Sequence, residues 1–380
     1  MKFCSLGDIA EIDRKTASPS SLPPSTPYLG LEHIERGGRI IGNGTVVEAG
    51  LTSAKHLFTP DHVLFGKLRP NLGKVATPSY SGVCSTDILP IRPSVELDRR
   101  YLALFLTTPH MVDHASSRAT GANLPRLSPE VLKTFQVPLV SIDEQRRIAG
   151  ILDQADAIRA KRRQLLDHLD TLTQSIFHDM FGRADIALHE FASVVDFMRS
   201  GVSPSTRGNV EGTVLTLASV TQGRFDPSAR KSAKFGARPS ETTRIDERDF
   251  LICRGNGNRS LVGVGVHPSS SRHDLVFPDT VIAARLKLDK VNAEYLEAAW
   301  KQSNIRHQIE AAARTTNGTH KVNQAVLGAV MVPLPSMDRQ REFAARVEQV
   351  NAQRAVVQRA LDADNELFES LQARAFRGEL

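Results

Sequence analysis

Two stretches of this chain carry an unbroken helical pattern. From Ser141 to Phe181, and from Ser336 to Phe376, there is no proline and almost no glycine, and Leu, Ala, Gln, Arg and Asp dominate. Each stretch is predicted to be one continuous helix. In the first, Ile151, Ala155, Ile158, Leu165, Leu169, Leu172 and Ile176 fall at alternating four- and three-residue steps, interrupted at Arg162. In the second, Phe343, Val347, Val350, Val357, Leu361, Phe368 and Leu371 do the same, with Arg354 and Asp364 as interruptions. That spacing is a heptad seam, and two such seams predict that the helices pack together. At about 1.5 Å per residue each would be about 60 Å long, which suits a spacer better than the core of a small domain. Ser141 with Glu144 predicts a capping box at the first helix; Ser336 lacks the acidic partner three residues on, but Asp338 suits the N-terminal dipole.

Upstream of each helix the pattern changes. Glycine, proline and short β-branched runs such as GTVVEAG (Gly44 to Gly50) and DTVIAARLKL (Asp279 to Leu288) read as short strands.

The two halves repeat one another. FQVPLVSIDEQRRIA from Phe135 aligns without a gap on VMVPLPSMDRQREFA from Val330, at an offset of 195 residues. The same offset pairs Gln145 with Gln340, Ser175 with Ser370 and Phe181 with Phe376. DRRYLALFL (Asp98 to Leu106) mirrors NAEYLEAAW (Asn292 to Trp300), the polar loops RATGANLPRLSPEVL and ARTTNGTHKVNQAVL follow, and LGDIAEI matches LHEFASVV. The chain reads as a tandem duplication with units near 1–182 and 183–380. Its predicted fold class is mixed α/β, with domains at 1–140 and 183–335 and helices at 141–182 and 336–380.

Composition adds little that is specific. With 380 residues and 41% hydrophobic content the chain can fill two or three cores, and 48 Lys and Arg against 42 Asp and Glu give +6, a mild bias toward a polyanionic partner. The three cysteines lack CxxC spacing, so neither a disulfide framework nor a zinc site is expected. The N-terminus reaches Asp8 before any signal-like apolar core, and no run spans a membrane. A cytoplasmic protein is expected.

The features now assembled resemble the specificity subunits of Type I restriction-modification systems over nearly the whole length. FGKLRPNLGKV (Phe65 to Val75), CSTDILPIRP (Cys84 to Pro93), the VPL segment, EQRRIAGILDQADAIRAKR (Glu144 to Arg162) and the duplication itself carry the resemblance. It implies two target-recognition domains, each reading half of a split site on double-stranded DNA. It further implies that the helices form an antiparallel coiled coil that fixes the gap and binds two methyltransferase subunits, with restriction subunits joining afterwards. The chain itself would bind no cofactor; S-adenosylmethionine, ATP and Mg would belong to partner subunits. CRGNGNRSLVGVG (Cys253 to Gly265) stands where the first half has GKLRPNLGKV, a divergence expected if the domains read different bases.

No phosphate loop, HExxH, GxSxG, N/DPPY or dinucleotide fingerprint is present. Asp61 and Lys67 are too loosely spaced to be a nuclease site. A non-enzyme is expected, against two rivals: a stand-alone DNA-binding regulator or decoy, and an enzyme with a degenerate site.

DNA reading needs cations for phosphates and polar side chains for base edges. In the first half Lys67, Arg69, Asn71 and Lys74 qualify, with Ser85 and Thr86 beyond; Arg69 serves equally as a structural salt-bridge residue. In the second, Arg254, Asn256, Asn258 and Arg259 cluster around two glycines, which suits a groove-facing loop or a plain surface turn. The paired loops add Arg118, Asn123 and Arg126, and Thr319, His320 and Lys321. His320 reads alternatively as a core or turn histidine. The basic run Arg159, Lys161, Arg162 and Arg163 is either a solvated helix face or a surface for phosphates or an acidic partner.

Overall fold

The computed structural model describes residues 2–182, 185–316 and 318–380. The predicted domain start at Arg183 therefore lies outside the described residues. The chain divides into two units, Met1–Gln164 with Gln358–Leu380, and Leu165–Val357, so each unit takes part of both long helices.

In the first unit an antiparallel sheet orders its strands Ala10–Ile12, Ile88–Pro93, Val63–Gly66 and Val75–Ala76. A second sheet orders Thr16–Ala17, Lys55–Phe58, Gly82–Cys84, Pro27–Leu29 and Gly44–Thr45, with a single parallel pairing of Tyr28 with Val83 and Leu29 with Cys84. Val63–Gly66 is buried throughout because both of its faces are covered, which is why it reads as a continuous apolar run.

The second unit repeats this plan. Its antiparallel sheet runs Val195–Ser200, Val281–Leu286, Asp249–Cys253, Gly265–Val266, and its mixed sheet runs Arg230–Phe235, Val210–Leu215, Arg272–Val276, Arg244–Ile245, with the parallel pairing at Val214 and Val276. The edge strand Arg230–Phe235 has six residues where its counterpart Gly44–Thr45 has two.

The repeated sequence builds the same junction twice. Asp98 caps the helix Arg99–Leu106, and Asn292 caps Ala293–Trp300. The N–H of each cap donates to a buried glutamine Oε1, from Gln145 or Gln340, at 2.8 Å. The same glutamines donate from Nε2 to the Val140 and Pro335 carbonyls at 2.9 Å. Tyr101 and Tyr295 donate to the Pro138 and Pro333 carbonyls at 2.8 Å. Because those carbonyls come just before the long helices, these bonds fix the angle at which each helix leaves its unit.

The long helices run Ile142–Phe181 and Met337–Ala375. They pair antiparallel within each unit. In the first, Arg159 donates to Asn365 at 2.8 Å and lies over the Phe368 ring, and Arg162 pairs with Asp364. In the second, Arg354 pairs with Asp170 at 2.6 Å and Arg339 donates to the Met180 carbonyl at 2.7 Å. Each unit's aromatic core includes the end of the helix that follows the other repeat: Phe376 packs on Tyr101, and Phe181 on Tyr295, both at 5.1 Å.

Two expectations about the helices need correction. The second helix buries its predicted seam at Phe343, Val347, Val350, Val357 and Leu361, but on the first Ile158, Leu165 and Leu172 are 50%, 45% and 42% exposed. The first helix instead turns Ile148, Leu152, Leu166 and Phe177 inward, with Arg159 and Arg162 between them making polar cross-helix contacts. Of the predicted stripe, Ile151, Ala155, Leu169 and Ile176 are half-buried, so the heptad count located a stripe that is only partly covered. The capping box is also half made: Ser141 Oγ accepts the Glu144 N–H at 3.3 Å, while the Glu144 carboxylate turns to Arg147.

Candidate nucleic-acid interface

The two polar segments picked out in each half of the sequence meet in space. In the first unit the Lys67 carbonyl accepts the Leu127 N–H at 2.9 Å, Arg69 N–H donates to the Pro125 carbonyl at 2.8 Å, and Leu68 bridges to Arg126. In the second, the Arg254 carbonyl accepts the Val322 N–H at 2.9 Å, and Gly255 and Asn256 pair with Lys321 and His320. Lys67 and Arg254 are further matched by their own N–H bonds, to Asp87 and Thr280 carbonyls at 2.9 and 2.8 Å. Arg69 therefore corresponds to Asn256.

Both loops return through a glycine with positive φ, 58° at Gly73 and 71° at Gly263. A Cβ there would meet Val112 at 3.2 Å or Ile309 at 2.3 Å, so the close approach of loop to helix admits no side chain at Gly263.

The sequence-predicted side chains separate into used and unused groups. Lys74 spends its ammonium on the Leu31 carbonyl at 2.7 Å, and Arg126 forms a two-armed pair with Asp87 at 2.8 and 3.3 Å. Arg118 folds back on the His114 carbonyl, Arg254 donates to the Asp279 carbonyl and Arg259 to that of Glu310. Asn256 and Asn258 organise their own turn: the first accepts the Asn258 N–H at 2.9 Å, and the second caps Ser260 at 3.0 Å. His320 meets Thr315 Oγ1 at 3.1 Å from the neighbouring strand, a turn contact of the kind considered for it. Thr319 is half-buried and Lys321 exposed.

Among the described residues, Lys67, Arg69, Asn71, Asn123 and Lys321 make no side-chain hydrogen bond or ion pair, and all but the half-buried Lys67 are exposed. Arg69 thus has no salt bridge, contrary to its structural alternative. Arg159 and Arg162 are engaged between helices, so the solvated-face reading does not hold for them.

Sequence reasoning missed two features. The strand Arg230–Phe235 exposes Arg230, Lys231 and Lys234 on a sheet edge, a signal present in the run RKSAK. The other is a polar triplet around a buried carboxylate in each unit. In the first, His62 Nδ1 accepts the Thr59 N–H at 3.0 Å, which leaves the neutral ring's proton on Nε2, 3.6 Å from Asp13; Arg92 lies 3.2 Å from the same carboxylate. In the second, Asp249 takes Arg199 and Arg285 together. His62 and Asp13 border a cavity of about 520 Å³ with Arg92, Lys15 and Ser81. His62 is only 1% exposed, with Nδ1 held by the Thr59 N–H and Nε2 3.6 Å from Asp13, so the cluster is packed as a structural joint.

Burial raises the thiol of Cys84, and pushes that of Cys253 up to about 11. Among the described residues no group of three His, Cys, Asp or Glu side chains is placed to hold a metal, and no helix is long and apolar enough to cross a membrane.

Two copies of one α/β module, each offering a paired polar loop, and two long helices joined antiparallel define a tandem recognition protein. Residues 1–169 match the family model of the Type I restriction modification DNA specificity domain. The chain is 26% identical over 331 residues, 80% of its length and 69% of the relative's, to the specificity subunit of the Type I restriction enzyme EcoKI from Escherichia coli K12. It is 33% identical over 186 residues to the EcoDI specificity subunit from Escherichia coli, covering 48% of this chain and 40% of that one. In fold it is similar to the Type I restriction-modification S subunit from M. genitalium, with a TM-score of 0.55 at 14% identity over 99% of this chain and 96% of that one. The chain is thus similar to the specificity subunits of Type I restriction-modification systems. These likenesses favour DNA sequence recognition over the stand-alone regulator reading.

Proposed function

We propose that the chain reads an asymmetric, bipartite site on double-stranded DNA, one half per unit, for a Type I restriction-modification complex. The observation that carries this is the pairing of the same two loops in both units with different side chains: Lys67, Arg69 and Asn71 in one, Arg254, Asn256 and Asn258 in the other. Equal scaffolds with unequal reading groups suit two unlike half-sites. Lys321 and the cationic edge strand Arg230–Phe235 suit phosphate contact, which positions without specifying.

In this reading the long helices dock two methyltransferase subunits, and restriction subunits where the system has them. The chain is non-catalytic and works in the cytoplasm, with S-adenosylmethionine, ATP and Mg held by partners. The test is to sequence the methylated sites of a host carrying the whole system, with and without exchange of residues 254–259. A two-part motif in which only one part changes is expected. A single contiguous motif, or methyl transfer by the purified chain alone, would overturn the proposal.

A further inference from the structure

We infer that Arg69 reads a guanine edge in the first half-site; the inference rests on the DNA-reading function proposed above. Among the described residues Arg69 is the one non-glycine with a left-handed backbone, at φ 49° and ψ 63°. An L-residue is strained there, because its Cβ crowds the following carbonyl, whereas glycine adopts this conformation freely. The strain is compounded by Pro70, whose ring disfavours helical conformations in the residue before it. A sequence under no demand for the side chain would relax this position to glycine.

The fold holds Arg69 in place from both sides. Its N–H donates to the Pro125 carbonyl at 2.8 Å, its own carbonyl accepts the Leu72 N–H at 2.9 Å, and Pro70 is buried. The Cα–Cβ direction is therefore fixed. Yet the guanidinium is exposed and, among the described residues, touches no acceptor or ring, while three nearby cations are spent: Arg126 on Asp87, Lys74 on the Leu31 carbonyl, Arg118 on that of His114, and Lys67 is half-buried. Backbone bonds hold the strained conformation, and among the described residues no contact of the Arg69 side chain helps to offset it.

A phosphate accepts any long flexible cation on a relaxed backbone. Fixed direction matters for a planar fork that must meet two acceptors at once, and guanine O6 and N7 in the major groove are such a pair. Exposed Asn71 and Asn123 adjoin Arg69 on the same two loops with their amides unengaged. The second unit does not repeat the device, since Asn256 lies on an extended strand and uses its oxygen within its own turn. The effect should stay in one half-site.

The test uses the full chain, selection from a randomised duplex library and thermal unfolding. Arg69→Gly should unfold at the same or a higher temperature while affinity falls about 10- to 100-fold, with the guanine preference lost at one position of one half-site. Arg69→Lys should keep the charge and lose the same preference. Replacing that guanine with 7-deazaguanine should weaken the wild type and leave Arg69→Gly unaffected. A lowered unfolding temperature for Arg69→Gly would make the side chain structural, and wild-type base selection by Arg69→Lys would make it a phosphate contact; either overturns the inference. A wild-type motif untouched in Arg69→Gly removes this inference alone, whereas a wild-type chain that selects no motif removes the DNA-reading proposal with it.

Discussion

His62 of the first unit stands where Asp249 stands in the second. His62 directly precedes the strand Val63–Gly66 and Asp249 opens Asp249–Cys253, and each lies beside an arginine of the neighbouring strand, Arg92 at 3.3 Å or Arg285 at 2.7 Å. The third member differs in sign, Asp13 in one and Arg199 in the other. Duplication preserved the need for a satisfied polar cluster at this place, while the charges were redistributed within it.

That difference makes the first unit acid-sensitive. Burial lowers the pKa of His62, and Arg92 lowers it further, against the Thr59 backbone and Asp13, which raise it. The folded state thus favours the neutral ring, and the unfolded state binds more protons as pH falls through the ordinary histidine value of about 6.5. The stabilisation is complete above that pH and is lost below it. For Asp13, burial pushes the pKa up, but the Lys15 N–H and the charges of Lys15, His62 and Arg92 hold it below the usual value, so its contribution persists until still lower pH. Denaturant unfolding between pH 8 and pH 5, values chosen to bracket about 6.5, should show falling stability for the wild type and a flatter profile for His62→Gln; parallel profiles would contradict the assignment.

Asp249→Ala should be far more damaging than loss of a surface ion pair. Asp249 is fully buried and neutralises Arg199 and Arg285, whose side chains are 12% and 13% exposed. Its removal leaves two cations without their shared counter-charge, at a cost of about 3–5 kcal/mol. Hydrogen exchange should show the strands around Asp249–Cys253 losing protection. Retained protection there would show that water or Asp246, 3.0 Å from Arg285, takes over.

Gln145→Ala and Gln340→Ala should each cost about 1–3 kcal/mol, because each leaves the N–H of a helix-capping residue, Asp98 or Asn292, without its buried acceptor. Chemical denaturation of the two variants checks this. A loss confined to one variant would mean that the repeated junction is not energetically equivalent in the two units.

Lys74→Ala and Lys321→Ala should separate structure from binding. Lys74 ties the segment before the strand Val75–Ala76 to the Leu31 carbonyl, so its loss should lower the unfolding temperature. Lys321 is exposed and unengaged; its loss should leave unfolding unchanged, weaken all DNA sequences alike and reduce the salt slope of binding by about one. Titrations across salt concentrations, paired with thermal unfolding, distinguish the two. A fully stable Lys74→Ala would restore that residue to the phosphate-contact role that its sequence position suggests.

The duplication, both long helices, the seam of the second and the position of the polar loops were legible in the sequence, because helix periodicity, proline exclusion and turn chemistry act over a few residues. The seam of the first helix was not. Its apolar residues form two stripes, and Ile158, Leu165 and Leu172 keep heptad spacing as faithfully as the inward-facing Ile148, Leu152 and Leu166. Periodicity alone gives no reason to prefer either stripe.

Side-chain availability was decided by tertiary structure alone. Arg126 and Arg69 look alike in sequence, yet Arg126 meets Asp87, 39 residues away, and Arg69 meets nothing among the described residues. Arg162 finds Asp364 across 202 residues. The sequence by itself determined that two related modules and two long helices would form, and which segments would be polar. Which cations remain available for DNA depends on partners brought close only by folding, since an ion pair is set by distance in space and local sequence carries no record of it.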